Sequence, residues 1–136
     1  MIIRPSSSYQ LQLPDDIVRD VDGLPVSFWR SGEPLLLQLS SHQRTHGNQV
    51  TARRRLEERM EKGNAEWTSR PCDRCADSSV DQECAETLEG ETAWLHCYFV
   101  WSHLAVYATI SGPIAQVRDT ESWAGRALRT LALVLQ

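Results

Sequence analysis

The chain has 136 residues, 41% of them hydrophobic and 24% charged, and a formal net charge of −4. That length suits one domain burying about two thirds of its unfolded surface, and the balance excludes the charge-rich, apolar-poor class of disordered chains. No apolar run reaches the length of a membrane span or a signal-peptide core, so a cytoplasmic protein making no membrane contact is expected.

Tyr9, Leu11 and Leu13 alternate with Gln10 and Gln12, the period-2 pattern of a half-buried strand, which Pro14-Asp15-Asp16 ends. A second strand is expected over Pro25 to Arg30. After an Arg30-Ser31-Gly32-Glu33 turn, the nearly continuous apolar start of Leu35 to Ser41 predicts a central strand buried on both faces.

From Asn48 to Lys62 the period becomes helical: Ala52, Leu56 and Met60 form a narrow stripe, with Asn48 as the expected cap and Gly63 as the stop. Arg53–Glu57, Arg54–Glu58 and Glu58–Lys62 are surface pairs worth a few tenths of a kcal/mol each, so the stripe must dock on a sheet for the helix to persist. Trp67 can open a short strand. Thr68 to Gly90 is polar and without clear period, and is expected as an extended loop or irregular hairpin, a polar cysteine-bearing insertion at 68–90 in a single domain of residues 1–136.

Thr92 to Trp101 is a strong aromatic strand that the Ser102-His103 turn joins to Leu104–Ile110, whose alternate residues Leu104, Val106, Ala108 and Ile110 are apolar. Ser111-Gly112-Pro113 then starts a helix through Ile114, Val117, Ala124, Leu128 and Leu131, with a break near Asp119-Thr120. Leu131 to Gln136 either finishes that helix or adds an edge strand. Of the five tryptophans, Trp29, Trp94 and Trp101 fall on strands as core or sheet-face residues, and Trp67 and Trp123 sit at element boundaries where a ring can be half exposed.

This order of elements is an α/β (α+β) pattern, a mainly antiparallel sheet flanked by helices. A strand ending in Leu13-Pro14, a strand with Phe28 and Trp29, a Leu-rich strand closing on Leu39-Ser40-Ser41, a charged helix, an aromatic hairpin and Ser111-Gly112-Pro113 before a closing helix resemble small bacterial proteins of the Mog1/PsbP-like α/β/α sandwich group. The resemblance covers most of the chain outside 68–90. It implies non-catalytic roles such as binding adaptors, chaperones of secreted effectors and immunity proteins that neutralise toxins.

Charge is unevenly placed. Pro71 to Glu91 holds seven acids against Arg74 alone, whereas Val50 to Lys62 has five basic residues against three acids. That modest basic helix supplies no clustered face for phosphates, so nucleic acid is not an expected partner. Asp77, Asp81, Glu83 and Glu86, with Trp67 as an aromatic anchor, form the candidate partner-binding set, suited to a partner with a basic surface; a merely solvated stretch is the plain alternative.

Cys72-Asp73-Arg74-Cys75 has the two-residue spacing that turns two sulfurs towards one metal, and Cys84 is the candidate third ligand of a structural zinc site, with Cys97 or His96 as a fourth. A disulfide involving this stretch and free thiols are the other readings, and no further cofactor is implied. His42 and His46 stand four apart but without the glutamate of a metalloprotease motif, and no Gly-x-Ser-x-Gly elbow, phosphate loop or dinucleotide fingerprint occurs. The expected function is therefore a non-catalytic, cytoplasmic protein-binding domain, foremost an immunity protein acting by steric occlusion, with an effector chaperone or adaptor and a small zinc-binding protein as alternatives. An enzyme site between sheet and helix lacks any positive signature.

Overall fold

β8 (Thr92–Val100) and β9 (Leu104–Pro113) form the expected antiparallel hairpin, and its turn is closed by the Trp101 N–H donating to the Leu104 carbonyl at 2.8 Å. Around it, in a computed structural model that describes residues 1–43 and 50–134, seven strands form one antiparallel sheet. Its other members are β3 (Ile17–Asp20), β4 (Val26–Arg30), β5 (Leu36–Gln43), β6 (Thr68–Arg70) and β7 (Asp81–Glu89), in the order β3-β4-β5-β9-β8-β7-β6. A smaller sheet, β1-β2-β10, joins β1 (Ile2–Ile3), β2 (Tyr9–Gln12) and β10 (Ala132–Leu133). The fold is an α+β sandwich.

Period-2 alternation divides the large sheet into two unlike faces. Phe28, Leu37, Leu39, Leu95, Phe99, Val106, Ala108 and Ile110 point to one side, where they share a buried core with Tyr9 and Leu11 of the small sheet. The same core takes Val117 from α2 (Ile114–Arg118) and Ala124, Ala127 and Leu128 from α3 (Trp123–Arg129). The other side is covered by α1 (Ala52–Gly63) alone, whose stripe Ala52, Leu56 and Met60 packs on Ala85, Tyr98, Val100 and Ala105.

Several expectations change. β5 is central, but only Leu37 and Leu39 are fully buried; Leu36, Gln38 and Ser40 are half-buried because α1 lies over β7 and β8 and not over β5. Residues 68–90 are not a loop throughout, since β7 pairs with β8 over nine residue pairs and β6 adds an edge. The period was hidden because two positions on its core-facing register, Gln82 and Glu86, are polar and held by hydrogen bonds or ion pairs. Trp123 is buried at 7% exposure and not half exposed.

Asn48 and His46 lie outside the described residues. The cap of α1 is Thr51, whose side chain accepts from Arg54 N at 3.2 Å, and the Asp81 carboxylate accepts from Ala52 N at 2.9 Å. The helix runs through Gly63 and ends on Asn64 in the left-handed region, at φ 52°. The closing helix does break at Asp119–Thr120, and the last residues described add β10 to β2.

The break between α2 and α3 depends on Gly125. A Cβ there would stand 2.5 Å from the Thr120 carbonyl oxygen, a backbone atom with little room to retreat. Gly125→Ala is therefore expected to lower stability by about 1–3 kcal/mol in urea denaturation, the usual cost of overpacking. Gly63→Ala, whose Cβ meets nothing within 4 Å, should be neutral or gain up to about 1 kcal/mol. Equal effects of the two would contradict this packing.

Candidate functional site

Register places side chains in rows across the face that α1 leaves uncovered. Val18, Trp29, Leu36, Ser111 and Trp94 align across β3, β4, β5, β9 and β8. Beside them run Asp20, Ser27, Gln38, Thr109 and His96, and then Ser40, Tyr107 and Tyr98. Trp29, Leu36, Trp94 and Tyr107 are half-buried, and Val18 is exposed. The row is thus apolar and aromatic along one line, then polar, then aromatic where the helix begins.

Helix α1 carries Arg55 and Arg59 one position before Leu56 and Met60 of its buried stripe, and Lys62 a turn further on, so they border this face. The Arg59 guanidinium lies 3.8 Å from the Tyr107 ring centroid and its Nε donates to the Tyr98 hydroxyl at 2.7 Å. Tyr98 and Tyr107 rings are 4.8 Å apart. Behind them His96 Nδ1 is 2.6 Å from the Tyr107 hydroxyl and its Nε2 is 2.9 Å from Thr87 Oγ1. Among the described residues, the buried Arg55 Nε has no hydrogen-bond partner.

These groups line a cleft with two neighbouring parts that share Arg59, His96 and Tyr107. One, of about 440 Å³, is bounded by Leu24, Gln38, Arg59, Trp94, His96 and Tyr107, and the other, of about 610 Å³, lies along Arg55, Arg59, Lys62 and Tyr98. Both fall within the size range of ligand sites. Glu58 is the acid among these lining residues, and Arg54 holds it at 3.2 Å. The cleft is cationic.

His96 and Tyr107 are held neutral. Burial, aided by the Arg59 charge, pushes His96 down to about 4, and burial pushes the Tyr107 phenol up to about 12. At pH 7 the positive charge of the cleft is therefore carried by the arginines and Lys62.

The acids singled out in the sequence do not assemble on one surface. Glu86 is 3% exposed and is clamped by Arg118, at 2.7 and 3.0 Å, and by Arg70 at 2.9 Å. Those hydrogen bonds, Arg118 first, hold its carboxyl below the usual range against the opposing effect of burial. It is not an exposed partner contact. Asp77 accepts from Ser79 and, at 2.9 Å, from the Trp101 indole, tying residues 71–80 to the core. Asp81 caps α1 as described, Glu83 is half-buried on β7, and Trp67 is 37% exposed at the start of β6.

The cysteines also regroup. Cys72 and Cys84 form a disulfide, while the buried Cys75 thiol donates to the Leu131 carbonyl at 3.3 Å and does not join them. Cys97, from the middle of β8, takes that place with its sulfur 2.9 Å from that of Cys84. His42 is exposed on β5.

The functional residues missed from the sequence are those of the uncovered face, although a signal was present. Once Leu104, Val106, Ala108 and Ile110 are assigned to the core, Tyr107 and Thr109 must face the other way. The narrow α1 stripe could not cover that whole side.

No family model matches the sequence, and no curated protein matches it. A crystal structure from Bacteroides thetaiotaomicron VPI-5482 superposes with a TM-score of 0.54 at 14% identity, covering 94% of this chain and 46% of that one. The likeness is one of fold. This chain spans less than half the length of that neighbour, which supports the α+β sandwich described above and nothing finer. Among the described residues, no helix is long and apolar enough to cross a membrane.

The His96 environment predicts a pH dependence. The unfolded imidazole protonates near 6.5 and the folded one only near 4, so between these values the unfolded chain binds more protons. Stability from this residue is fully present above 6.5, rises with pH across the window and is lost on acidification. Glu86 acts in the same direction only below 4.5. Urea midpoints for His96→Gln should change less than those of the parent between pH 6.5 and 4.5, and an unchanged slope would place the acid sensitivity elsewhere.

Proposed function

We propose that this chain is a non-catalytic protein-binding domain that blocks its partner by covering it, in the manner of a bacterial immunity protein acting in the cytoplasm. The observation that carries the reading is the uncovered row of Val18, Trp29, Leu36 and Trp94, bordered by Tyr107, Arg55 and Arg59. Tryptophan, tyrosine and arginine on a shallow face are the side chains that anchor protein interfaces, because each removes a large area from water at little entropic cost. The Mog1/PsbP-like order of elements is the ground for placing the domain with immunity proteins.

Acid–base chemistry is poorly served by the same groups. An effective general acid or base titrates near the working pH, whereas His96 sits near 4 and Tyr107 near 12, each hydrogen-bonded to the other. The cationic border favours a partner with an acidic surface. The basic partner suggested by residues 71–91 loses support, since Glu86 is buried and Asp77 and Asp81 hold up the fold.

The test is capture of a partner from the protein's own cells, followed by titration calorimetry with variants. Trp94→Ala and Arg55→Glu should each weaken binding by about 30-fold or more, about 2 kcal/mol, while circular dichroism stays native. Affinity should fall as salt rises. Full-strength binding by both face variants, with loss on Asp81→Lys and Glu83→Lys, would overturn the proposal.

A further inference from the structure

On the core side of the sheet, away from the cleft, Cys84 and Cys97 stand directly opposite each other on β7 and β8, and Cys72 reaches them from the preceding loop. Among the described residues, these three sulfurs all lie within 4.8 Å of one another. Cys84 and Cys97 have no exposed surface, and Cys72 is half-buried. A disulfide uses two sulfurs, and the third, Cys97, remains a free thiol packed in the core beside them.

The loop that brings Cys72 in is held independently of the disulfide. Gln82 Oε1 accepts from Arg74 N and Cys75 N, both at 3.0 Å, and its Nε2 donates to the Cys75 carbonyl at 3.1 Å. Opening the disulfide would therefore leave three thiols in the same place. In a reducing compartment a cellular dithiol does this by delivering two electrons and two protons to the Cys72–Cys84 bond, leaving as its own disulfide.

We infer that, in the reduced protein, Cys72, Cys84 and Cys97 form a three-thiolate site for a thiophilic divalent cation of the zinc class, of which the disulfide is the oxidised, metal-free counterpart. Thiolates about 2.3 Å from a tetrahedral zinc stand about 3.8 Å apart, a spread these sulfurs reach by small side-chain rotations. Each thiol gives up its proton on binding, so the filled cluster carries one net negative charge. Burial pushes the Cys97 thiol up and the Arg74 charge acts the other way, so Arg74, whose buried Nη1 lacks a hydrogen-bond partner among the described residues, supplies the complementary group. A fourth position is left to water or a small ligand. Metal and disulfide would then be alternative staples fastening the same loop to the sheet. This site is independent of the cleft and of the binding role proposed for it.

The experiment uses the full chain, reduced under argon with a phosphine that is then removed, and titrated with Co²⁺. One ion per chain should bind, with thiolate-to-cobalt charge-transfer absorption and the visible bands of a tetrahedral site, and Zn²⁺ should displace it. Cys97→Ser and Cys72→Ser should each weaken uptake by more than about tenfold, while Cys75→Ser leaves it unchanged. The oxidised parent should show no thiolate–cobalt band. Cys72→Ser, at a half-buried position, gives the answer if Cys97→Ser does not fold. A reduced, folded parent that takes up no cobalt, or a Cys75→Ser variant that loses as much as Cys72→Ser, would overturn the assignment.

Discussion

β8 and β9 run side by side for nine residue pairs, and the strict two-residue alternation of that pairing governs the rest of the molecule. It sends Leu95, Cys97, Phe99, Val106, Ala108 and Ile110 into the shared core and leaves Trp94, His96, Tyr98, Tyr107 and Thr109 on the opposite face. The core side has enough apolar area to recruit the small sheet and both closing helices. Among the described residues the other side receives α1 alone, whose buried stripe is one residue wide and three long and packs on β7, β8 and the start of β9. A seven-stranded sheet with two such unequal covers must leave one face partly open.

What occupies that open part is chemically mixed, and the mixture is informative. The row across five strands, apolar except for Ser111, would be an aggregation hazard if bare. Arginines from α1 and the polar row of Ser27, Gln38 and Thr109 sit beside it and keep the face wet. The Arg59–Tyr107 and Tyr98 contacts fix the helix-side wall of the cleft, so its cationic edge is built into the fold. Three acids of residues 71–91 have structural contacts: Glu86 neutralises two arginines, Asp81 caps α1, and Asp77 anchors the loop that completes the core.

The α+β class, the aromatic hairpin, the helix stripe and the break in the closing helix were legible because period and turn chemistry are local signals. β7 was not, because Gln82 and Glu86 occupy core-facing positions that pattern reading expects to be apolar; Gln82 is satisfied by the backbone of the preceding loop at 74–75, and Glu86 by Arg118, 32 residues away. The alternation of β9 signalled the uncovered face, but the cleft on it depends on where α1 docks, which no local pattern gives. In the cysteine cluster, the local Cys72–Cys75 spacing suggested a pair, whereas strand register brings Cys97 to Cys84 and leaves Cys75 with the Leu131 carbonyl.

The unequal covering of the sheet is tested most directly by hydroxyl-radical footprinting of the five tryptophans, with oxidation read residue by residue by mass spectrometry. Trp29 and Trp94 on the open face, together with Trp67, should be oxidised readily, while Trp101 and Trp123, at 5% and 7% exposure, should be protected. Protection of Trp29 and Trp94 to the level of Trp101 would show that face to be covered, and would contradict the account.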